Sequence, residues 1–499
     1  MRGDAVVLVA GRFVQALLTI AGFRVLTALL SPAEVGNYYL IISVASLFSM
    51  FLISPVGMYV NRRFFAWYDE RSLTAHFLGY NAYAAAVSLL AFLSALAAWR
   101  FAGVGAGLNG PLFAFLVAAY IYVLNWNQNY IPALNTLGYR RDFVLLTLVT
   151  VGLALAFSAL FSVVLSRGGT EWMAGLIVAN GAATLAAARI LYGKLREDAP
   201  GHFDFRGLAS RPALDAIGAF ALPLAGASFF MWAQSQSYRV IVERLDGAEL
   251  LGYMAVGFSI ATSVAGIMES LVQQLYLPAF YRRITSGGKD ERRAALAELA
   301  AKSVPVYLVY LFFIAGSAEL LVRTLVSPKY RDVFVYARYG AFVEFFRMAT
   351  NVLAAAAHSE MRTRSLVRPY LIGGITAAVL VYFSAVSGRP GTYVPLALLL
   401  SGGVTFFSMQ RAILPIIEFR LDLRALAAPA VGSLGLLAFS FIHPAGTLGT
   451  LGLLGLSGCY FAGMLYWTSR KWLRNVPSNP LSGPKAETEN MSPAEPEAL

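Results

Sequence analysis

Charged residues are scarce in this chain. Asp, Glu, Lys and Arg make up 13% of its 499 residues, whereas apolar residues make up 58%. Soluble proteins carry roughly twice this share of charge, about 25%, and the mean hydropathy of +0.63 indicates the same imbalance. The composition excludes a set of water-soluble domains. It predicts an all-α, polytopic membrane protein, because long apolar runs with few charges form membrane-spanning helices.

Cysteine is almost absent, and the single Cys459 excludes an intramolecular disulfide. The sequence also lacks metal-ligand spacings, glycine-rich phosphate loops, Ser/His/Asp arrangements and paired carboxylates on one helix. No loop is long enough to fold as a soluble catalytic domain. We therefore predict no metal, no cofactor and no catalytic residues, and a protein that is not an enzyme.

The net charge of +12 follows a pattern along the chain. Most Lys and Arg residues lie in short loops on alternate sides of the apolar runs, which is the positive-inside pattern of membrane proteins. This distribution argues against a nucleic-acid partner. It predicts that both termini lie in the cytoplasm.

Fourteen apolar runs are long enough to cross a bilayer. They lie at 5–29, 34–60, 74–99, 111–135, 142–165, 171–193, 213–241, 248–278, 300–323, 332–357, 369–387, 391–415, 425–443 and 446–469. The longest connections, at 195–212 and 281–299, fall on the predicted cytoplasmic side. We predict a six-helix lobe at 1–194, a cytoplasmic linker at 195–212, a second six-helix lobe at 213–415, an additional helix pair at 425–470 and a disordered tail at 475–499.

One segment occurs twice. Residues 24–38 (RVLTALLSPAEVGNY) and 239–253 (RVIVERLDGAELLGY) share Arg, Val, Leu, Ala, Glu and Tyr at matching positions, 215 residues apart. Six spans separate the copies, so both have the same orientation in the membrane. This predicts parallel repeats related by an axis along the membrane normal, with a binding site between them.

Ionisable and amide side chains interrupt the spans, although a charge at mid-bilayer costs about 3 kcal/mol on insertion scales. The arginines in or beside spans are Arg12, Arg24, Arg189, Arg239, Arg338, Arg347 and Arg411. Helical spacing groups several polar residues on shared faces. These groups are Gln236, Arg239 and Glu243; Glu344, Arg347 and Asn351; Asn125, Gln128 and Asn129; and Glu269 and Gln273. Such faces avoid lipid and point into the bundle or a wet cavity.

Each group also has a structural interpretation. Arg24 and Arg239 lie near span ends, where their side chains can extend to the interface. Glu344 and Arg347 can form a salt bridge within one helix, and the asparagines can hydrogen-bond between helices. The sequence alone leaves these alternatives open.

The chain resembles the Wzx-type flippases of lipid-linked oligosaccharides, in the multidrug/oligosaccharidyl-lipid/polysaccharide exporter superfamily. The resemblance is carried by segments 30–39 (LSPAEVGNYY), 220–224 (FALPL) and 232–253, and by the fourteen-span plan. It implies a V-shaped carrier, similar to the multidrug and toxin extrusion (MATE) transporters, that works by ion-coupled alternating access in the bacterial inner membrane. The implied substrate is an undecaprenyl-pyrophosphate-linked repeat unit for O-antigen, capsule or exopolysaccharide synthesis.

The resemblance also implies partners: the lipid-linked oligosaccharide, membrane lipids, and a polymerase and glycosyltransferases of the same pathway. We expect a monomer. Arginines pair with pyrophosphate and amides with sugar. The candidate substrate-binding residues are Arg12, Arg24, Asn125, Asn129, Gln236, Arg239, Arg347 and Asn351, and those for ion coupling are Glu269 and Glu344.

Three alternatives stay open at this point. A flippase for lipid II, the peptidoglycan precursor, would use similar chemistry. A drug or metabolite exporter of the same superfamily would normally carry a carboxylate in the first span, where this chain has no acid after Asp4. A membrane polymerase or glycosyltransferase would normally need a substantial outer loop. The sugar of the substrate and the coupling ion (proton or sodium) are not encoded in any pattern we recognise.

Overall fold

The computed structural model describes residues 2–195, 211–286, 288–360, 362, 364–418, 423–444 and 446–473. These residues are helical almost throughout, and no strand occurs among them. Most of the predicted linker at 195–212 and the predicted tail at 475–499 lie outside the described residues.

The first half of the chain forms seven helices. They are α1 (Arg2–Leu29), α2 (Pro32–Phe48), α3 (Ser54–Asp69), α4 (Leu73–Ala97), α5 (Gly110–Thr136), α6 (Arg140–Val164) and α7 (Gly169–Lys194). Two five-residue π-helical segments, Ser49–Ile53 and Ala98–Ala102, continue α2 into α3 and extend α4. The π segment after α2 leaves carbonyl groups free, and the hydroxyls of Tyr83 and Tyr80 donate to those of Leu52 and Ile53 at 3.0 and 3.1 Å.

The second half continues with α8 (Arg211–Ser235), α9 (Ser237–Asp246), α10 (Ala248–Leu275), α11 (Leu277–Ser286), α12 (Lys289–Leu325), α13 (Phe334–Ser359), α14 (Arg364–Ala385) and α15 (Pro390–Ile413). The last two helices are α16 (Leu423–Leu437) and α17 (Gly446–Leu473). Short 3₁₀ segments at Pro328–Val333 and Ala438–Phe441 complete the described part.

Eleven helical stretches of the described residues are long and apolar enough to cross a membrane. Three further helices complete the predicted set. Two of them have shorter apolar stretches than these eleven: the described apolar part of α1, and α16 with the 3₁₀ segment that follows it. The third, α13, is more polar because it contains Arg338, Glu344 and Arg347. The prediction of an all-α protein with about fourteen spans is confirmed.

Two predicted boundaries are wrong. The run at 213–241 is broken at Gln236, whose φ of −126° and ψ of −23° separate α8 from α9. At this break the Gln236 carbonyl accepts from the Arg239 N–H at 3.1 Å and from Ser43 Oγ of the other half at 2.9 Å. The connection predicted at 281–299 is mostly helical, because its Ala, Leu and Glu residues favour helix and Asp290 and Glu291 stabilise the start of α12.

The two halves repeat the same packing scheme. In the first half α1 packs on α6, α6 on α7, α4 on α5 and α5 on α7. The counterparts six spans later do the same: α8 packs on α14, α14 on α15, α12 on α13 and α13 on α15. Helices α16 and α17 pack on α12 as an appended pair. The repeat detected in the sequence is therefore a structural repeat, whereas the residue boundaries of the domains stay predictions.

The halves meet closely at one end of the bundle, which the loop charges predict to be periplasmic and which we call the outer end. There α2 and α10 approach through two glycines. A Cβ atom on Gly36 would lie 1.8 Å from the Ala248 carbonyl oxygen, and one on Gly252 would lie 1.8 Å from the Pro32 carbonyl oxygen. Only glycine permits this main-chain contact. The outer end is closed in this structure.

Gly252→Ala tests this closure. The added methyl group must push α2 and α10 apart, so we expect the free energy of unfolding to fall by about 1–3 kcal/mol. Thermal unfolding of the purified protein in detergent measures the change. The control is Gly266→Ala on the same helix, where an added Cβ meets nothing within 4 Å. Equal melting temperatures for the two variants would contradict the assignment.

Candidate functional site

A cavity of about 450 Å³ lies mostly within the second half of the chain. Helices α8, α9, α10, α13, α14 and α15 supply most of its lining, and Phe23 and Met50 contribute from the first half. Four of the predicted site residues line it: Gln236, Arg239, Arg347 and Asn351. The predicted coupling residue Glu344 lines it as well.

Arg239 is held in the cavity wall by aromatic rings. Its guanidinium carbon lies 5.0 Å from the ring centroid of Tyr39 and 5.7 Å from that of Tyr238. Its Nε donates to the Tyr238 hydroxyl at 3.2 Å. Among the described residues no carboxylate forms a salt bridge with Arg239. Its remaining N–H groups are therefore available for an anion.

The break between α8 and α9 brings further amides to the same wall. Gln234, Ser235 and Gln236 line the cavity together because the chain leaves helical geometry at Gln236. The Oε1 atom of Gln236 is buried and accepts no hydrogen bond from the described residues. A buried acceptor without a donor favours binding of a hydroxyl or amide group there.

Arg347 also lines the cavity and is already paired. Its Nε donates to Glu344 at 2.6 Å, and its Nη1 donates to Glu269 at 3.0 Å. Asn351 Nδ2 donates to Glu269 at 2.7 Å, and Thr262 Oγ1 donates to Glu344 at 2.8 Å. We call these five residues the acidic cluster, since two carboxylates share one guanidinium. The predicted salt bridge within α13 thus exists and extends to α10.

The other predicted site residues lie elsewhere. Asn125 is buried inside the first half, where its backbone and side-chain oxygens accept from Asn129 Nδ2 at 2.6 and 3.1 Å. Arg24 Nη1 donates to the Val326 carbonyl oxygen at the outer end. The side chain of Arg12 lies outside the described part of the chain. A role for these four residues in binding substrate stays a prediction.

Glu243, predicted on the same face as Arg239, also points away from the cavity. Its carboxylate accepts from the Gly105 backbone N–H at 3.1 and 3.2 Å, and the neighbouring Arg244 donates to the Ala102 carbonyl at 2.8 Å. These bonds join α9 to the loop after α4. They contribute to closure of the outer end.

Sequence reasoning missed the hydroxyl groups of the lining. Ser259, Thr262 and Ser263 line it from α10, and Ser401 and Thr405 line it from α15. A signal existed: Ser259, Thr262, Glu269 and Gln273 recur at helical spacing along one face of α10. Serine and threonine are common in membrane helices as packing residues, so this stripe was indistinguishable from a helix–helix contact.

No protein-family profile and no curated protein sequence matches the chain. Solved structures do. The chain is similar to a lipid II flippase, MurJ, in an inward closed conformation, with a TM-score of 0.68 and 11% identity over 95% of this chain and 100% of that one. An inward-facing multidrug resistance MATE family transporter of the MOP (multidrug/oligosaccharidyl-lipid/polysaccharide) superfamily gives a TM-score of 0.54 and 14% identity over 81% and 95% of the two chains.

A substituted variant of a MATE protein gives a TM-score of 0.51 and 14% identity over 82% of this chain and 95% of that one. At these identities the likeness shows the fold alone. The predicted MATE-like fold is confirmed, whereas the resemblance to the Wzx branch within the superfamily stays a prediction.

A substitution at Arg347 tests the acidic cluster. Arg347→Met leaves two carboxylates unpaired, so we expect a loss of about 2 kcal/mol in the free energy of unfolding. This is below the roughly 3–5 kcal/mol of fully buried pairs, because the Arg347 side chain is 34% exposed. Adding Glu269→Gln and Glu344→Gln should restore most of the loss, as measured by a thermal-unfolding mutant cycle.

Arg338→Met on the same helix is the control, because Arg338 donates to the Ala315 carbonyl at 3.1 Å and forms no salt bridge among the described residues. The glutamine substitutions should not rescue it. Strictly additive effects of Arg347→Met and the glutamine substitutions would contradict the cluster.

Proposed function

We propose that this chain is a flippase that moves a lipid-linked oligosaccharide, joined to its lipid through a pyrophosphate, from the cytoplasmic to the periplasmic leaflet. One observation supports this function above the others. The cavity holds an arginine, Arg239, that has no carboxylate partner among the described residues. Hydrogen-bonding side chains surround it rather than a purely apolar wall. The MurJ-like fold, with a flippase among its known members, supports the same assignment.

The chemistry of the two ends of such a substrate fits the lining. A guanidinium group binds phosphate oxygens through paired hydrogen bonds, which Arg239 is free to offer. Sugar hydroxyls need donors and acceptors, and Gln234, Gln236 and the serine and threonine hydroxyls of α10 and α15 supply both. The lipid tail remains in the bilayer. A cavity of about 450 Å³ lies within the usual range for small-molecule sites, about 300–1,000 Å³.

The acidic cluster is our candidate for ion coupling. Glu269 and Glu344 together carry more negative charge than Arg347 neutralises, so a proton or a monovalent cation can add there without a new countercharge. The membrane potential assists export further. Moving two negative charges outward gains about 2.3 kcal/mol per charge per 100 mV if no protein charge moves with them.

The proposal includes a location and partners. Most of the loops rich in Arg and Lys lie on one side of the membrane, which we assign to the cytoplasm. The chain would then lie in the bacterial inner membrane with both termini in the cytoplasm. A polysaccharide polymerase and glycosyltransferases of the same pathway would supply and consume the substrate. We expect the chain to act as a monomer on O-antigen, capsule or exopolysaccharide precursors.

Lipid II is the second candidate substrate. The likeness to MurJ is stronger than that to the MATE structures, with TM-scores of 0.68 and 0.54. Lipid II also carries a pyrophosphate, so Arg239 would serve either substrate. A drug or metabolite exporter is less well supported, because such exporters normally carry a carboxylate in the first span and this chain has no acid there after Asp4.

Transport by the purified protein tests the proposal. The vesicles contain a lipid-linked oligosaccharide in their membrane. Arg239→Ala should lower the rate at which this lipid appears in the opposite leaflet about 10- to 100-fold. That range corresponds to the loss of about 1.5–3 kcal/mol for a hydrogen bond to a charged group. Arg239→Lys should keep part of the rate.

The control is Arg411→Ala, because Arg411 is exposed and does not line the cavity. Arg24→Ala removes the hydrogen bond to Val326 and tests whether Arg24 is also needed for transport. Unchanged transport by both Arg239→Ala and Arg24→Ala would overturn the arginine assignment. Substituting lipid II for the oligosaccharide in the same vesicles distinguishes the two substrates.

A further inference from the structure

A second space, of about 740 Å³, lies at the other end of the bundle, on the side predicted to be cytoplasmic. We call it the vestibule. Helix α3 contributes Arg62, and helix α8 contributes an apolar stretch. Arg362 comes from the connection between α13 and α14, and Arg364 is the first residue of α14. The space therefore lies between the two halves.

The described residues that line the vestibule are basic or uncharged and include no acid. Its charged residues are Arg62, Arg362 and Arg364, with His358 beside them. Within the described part of the chain, none of these three arginines forms a salt bridge. The guanidinium of Arg62 lies 5.9 Å from the ring centroid of Phe220, which orients it toward the α8 wall. Three unneutralised guanidinium groups around one space favour a multiply charged anion.

The start of α14 adds to this field. Arg364 and Ser365 are its first two residues, and both line the vestibule. The unpaired N–H groups of the first helical turn carry a partial positive charge. The Ser365 N–H and hydroxyl already donate to the Arg362 carbonyl. The arginines therefore supply the hydrogen-bond donors for phosphate oxygens, and the helix end adds its partial charge.

The remaining lining residues are mostly apolar. They include Met58, Phe220, Pro223, Leu224 and Ile416. A small soluble anion would leave these groups exposed to water, whereas an anion attached to a hydrocarbon chain would cover them. The lining thus matches an amphiphile with a phosphorylated head.

Helix α8 links the vestibule to the cavity. Pro223 and Leu224 line the vestibule and Gln234 and Ser235 line the cavity. Gln234 follows Pro223 by eleven positions, which corresponds to about 16 Å along the helix axis. A head group leaving the vestibule along α8 would enter the cavity that contains Arg239.

We propose that the vestibule is a separate binding site for the diphosphate head of a lipid, occupied before the substrate enters the cavity. This inference rests on the proposed function for the identity of the lipid. Arg62 binds from the first half, and Arg362 and Arg364 bind from the second. The vestibule sets how much substrate is needed to load the carrier, whereas the cavity sets how fast loaded substrate crosses.

Binding to the full-length protein in neutral-lipid nanodiscs tests the site. The probes are geranylgeranyl diphosphate and inorganic pyrophosphate. Arg62→Ala and the double variant Arg362→Ala/Arg364→Ala should each weaken binding of the lipid diphosphate about 10-fold or more, and added salt should weaken binding to the wild type. Arg63→Ala and Arg368→Ala are the matched controls, because both residues are exposed neighbours that do not line the vestibule.

In the transport assay the vestibule variants should raise the substrate concentration for half-maximal rate and leave the maximal rate near that of the wild type. Lipid-diphosphate binding by Arg62→Ala equal to that of Arg63→Ala would overturn the vestibule site. Equal affinity for the lipid and for free pyrophosphate would overturn the lipid assignment. Intact transport that depends on Arg239 but not on Arg62 would overturn the vestibule and leave the flippase standing. Arg62-dependent binding without any transport would support the vestibule and overturn the flippase.

Discussion

A charge inside a membrane must find an opposite charge, a hydrogen-bond partner or water, because lipid offers none of these. The arrangement of this protein follows from that constraint. Arg347 is held by Glu344 and Glu269, and Arg24 by a main-chain carbonyl at the outer end. Arg239 lies between aromatic rings beside a cavity. The cavity wall is thus both a place where charges are tolerated and a place where a substrate can bind.

The same interface is asymmetric along its length. At the outer end, glycines bring the backbones of α2 and α10 into contact, and Glu243 and Arg244 join α9 to the loop after α4. At the inner end the halves leave a space lined by arginines. Alternating access requires that the outer contact open while the inner one closes. Close contacts through glycine are suited to this, because they depend on few side chains and can separate as a unit.

Much of the fold was predictable because it depends on local composition. Apolar runs of sufficient length form spanning helices, and the repeated Arg–Tyr segments mark corresponding places in the two halves. Gln236, Arg239, Arg347 and Asn351 were also predictable as cavity residues, since polar stripes at helical spacing avoid lipid. The fourteen-span plan and these four placements therefore needed no knowledge of distant contacts.

The remaining features depend on partners far away in the chain. A polar stripe can face a cavity or a neighbouring helix, and the rotation of the helix decides which. Asn125 and Asn129 face the interior of the first half, which spacing alone does not reveal. At the break, the Gln236 carbonyl accepts a hydrogen bond from Ser43 of the other half, a contact that local sequence does not reveal. Arg24 and Arg239 are equivalent in the repeat, yet only Arg239 lines the cavity, because the second half is bent there and the first is not.

The most direct test of the central claim is to delete the gene in its own host and determine which leaflet holds the lipid-linked glycans. A flippase predicts that complete repeat units accumulate on the cytoplasmic side, with loss of the surface polysaccharide, and the accumulated lipid then identifies the sugar. Normal surface polysaccharide together with new sensitivity to cationic compounds would contradict the account, because it would assign the cavity to drug export.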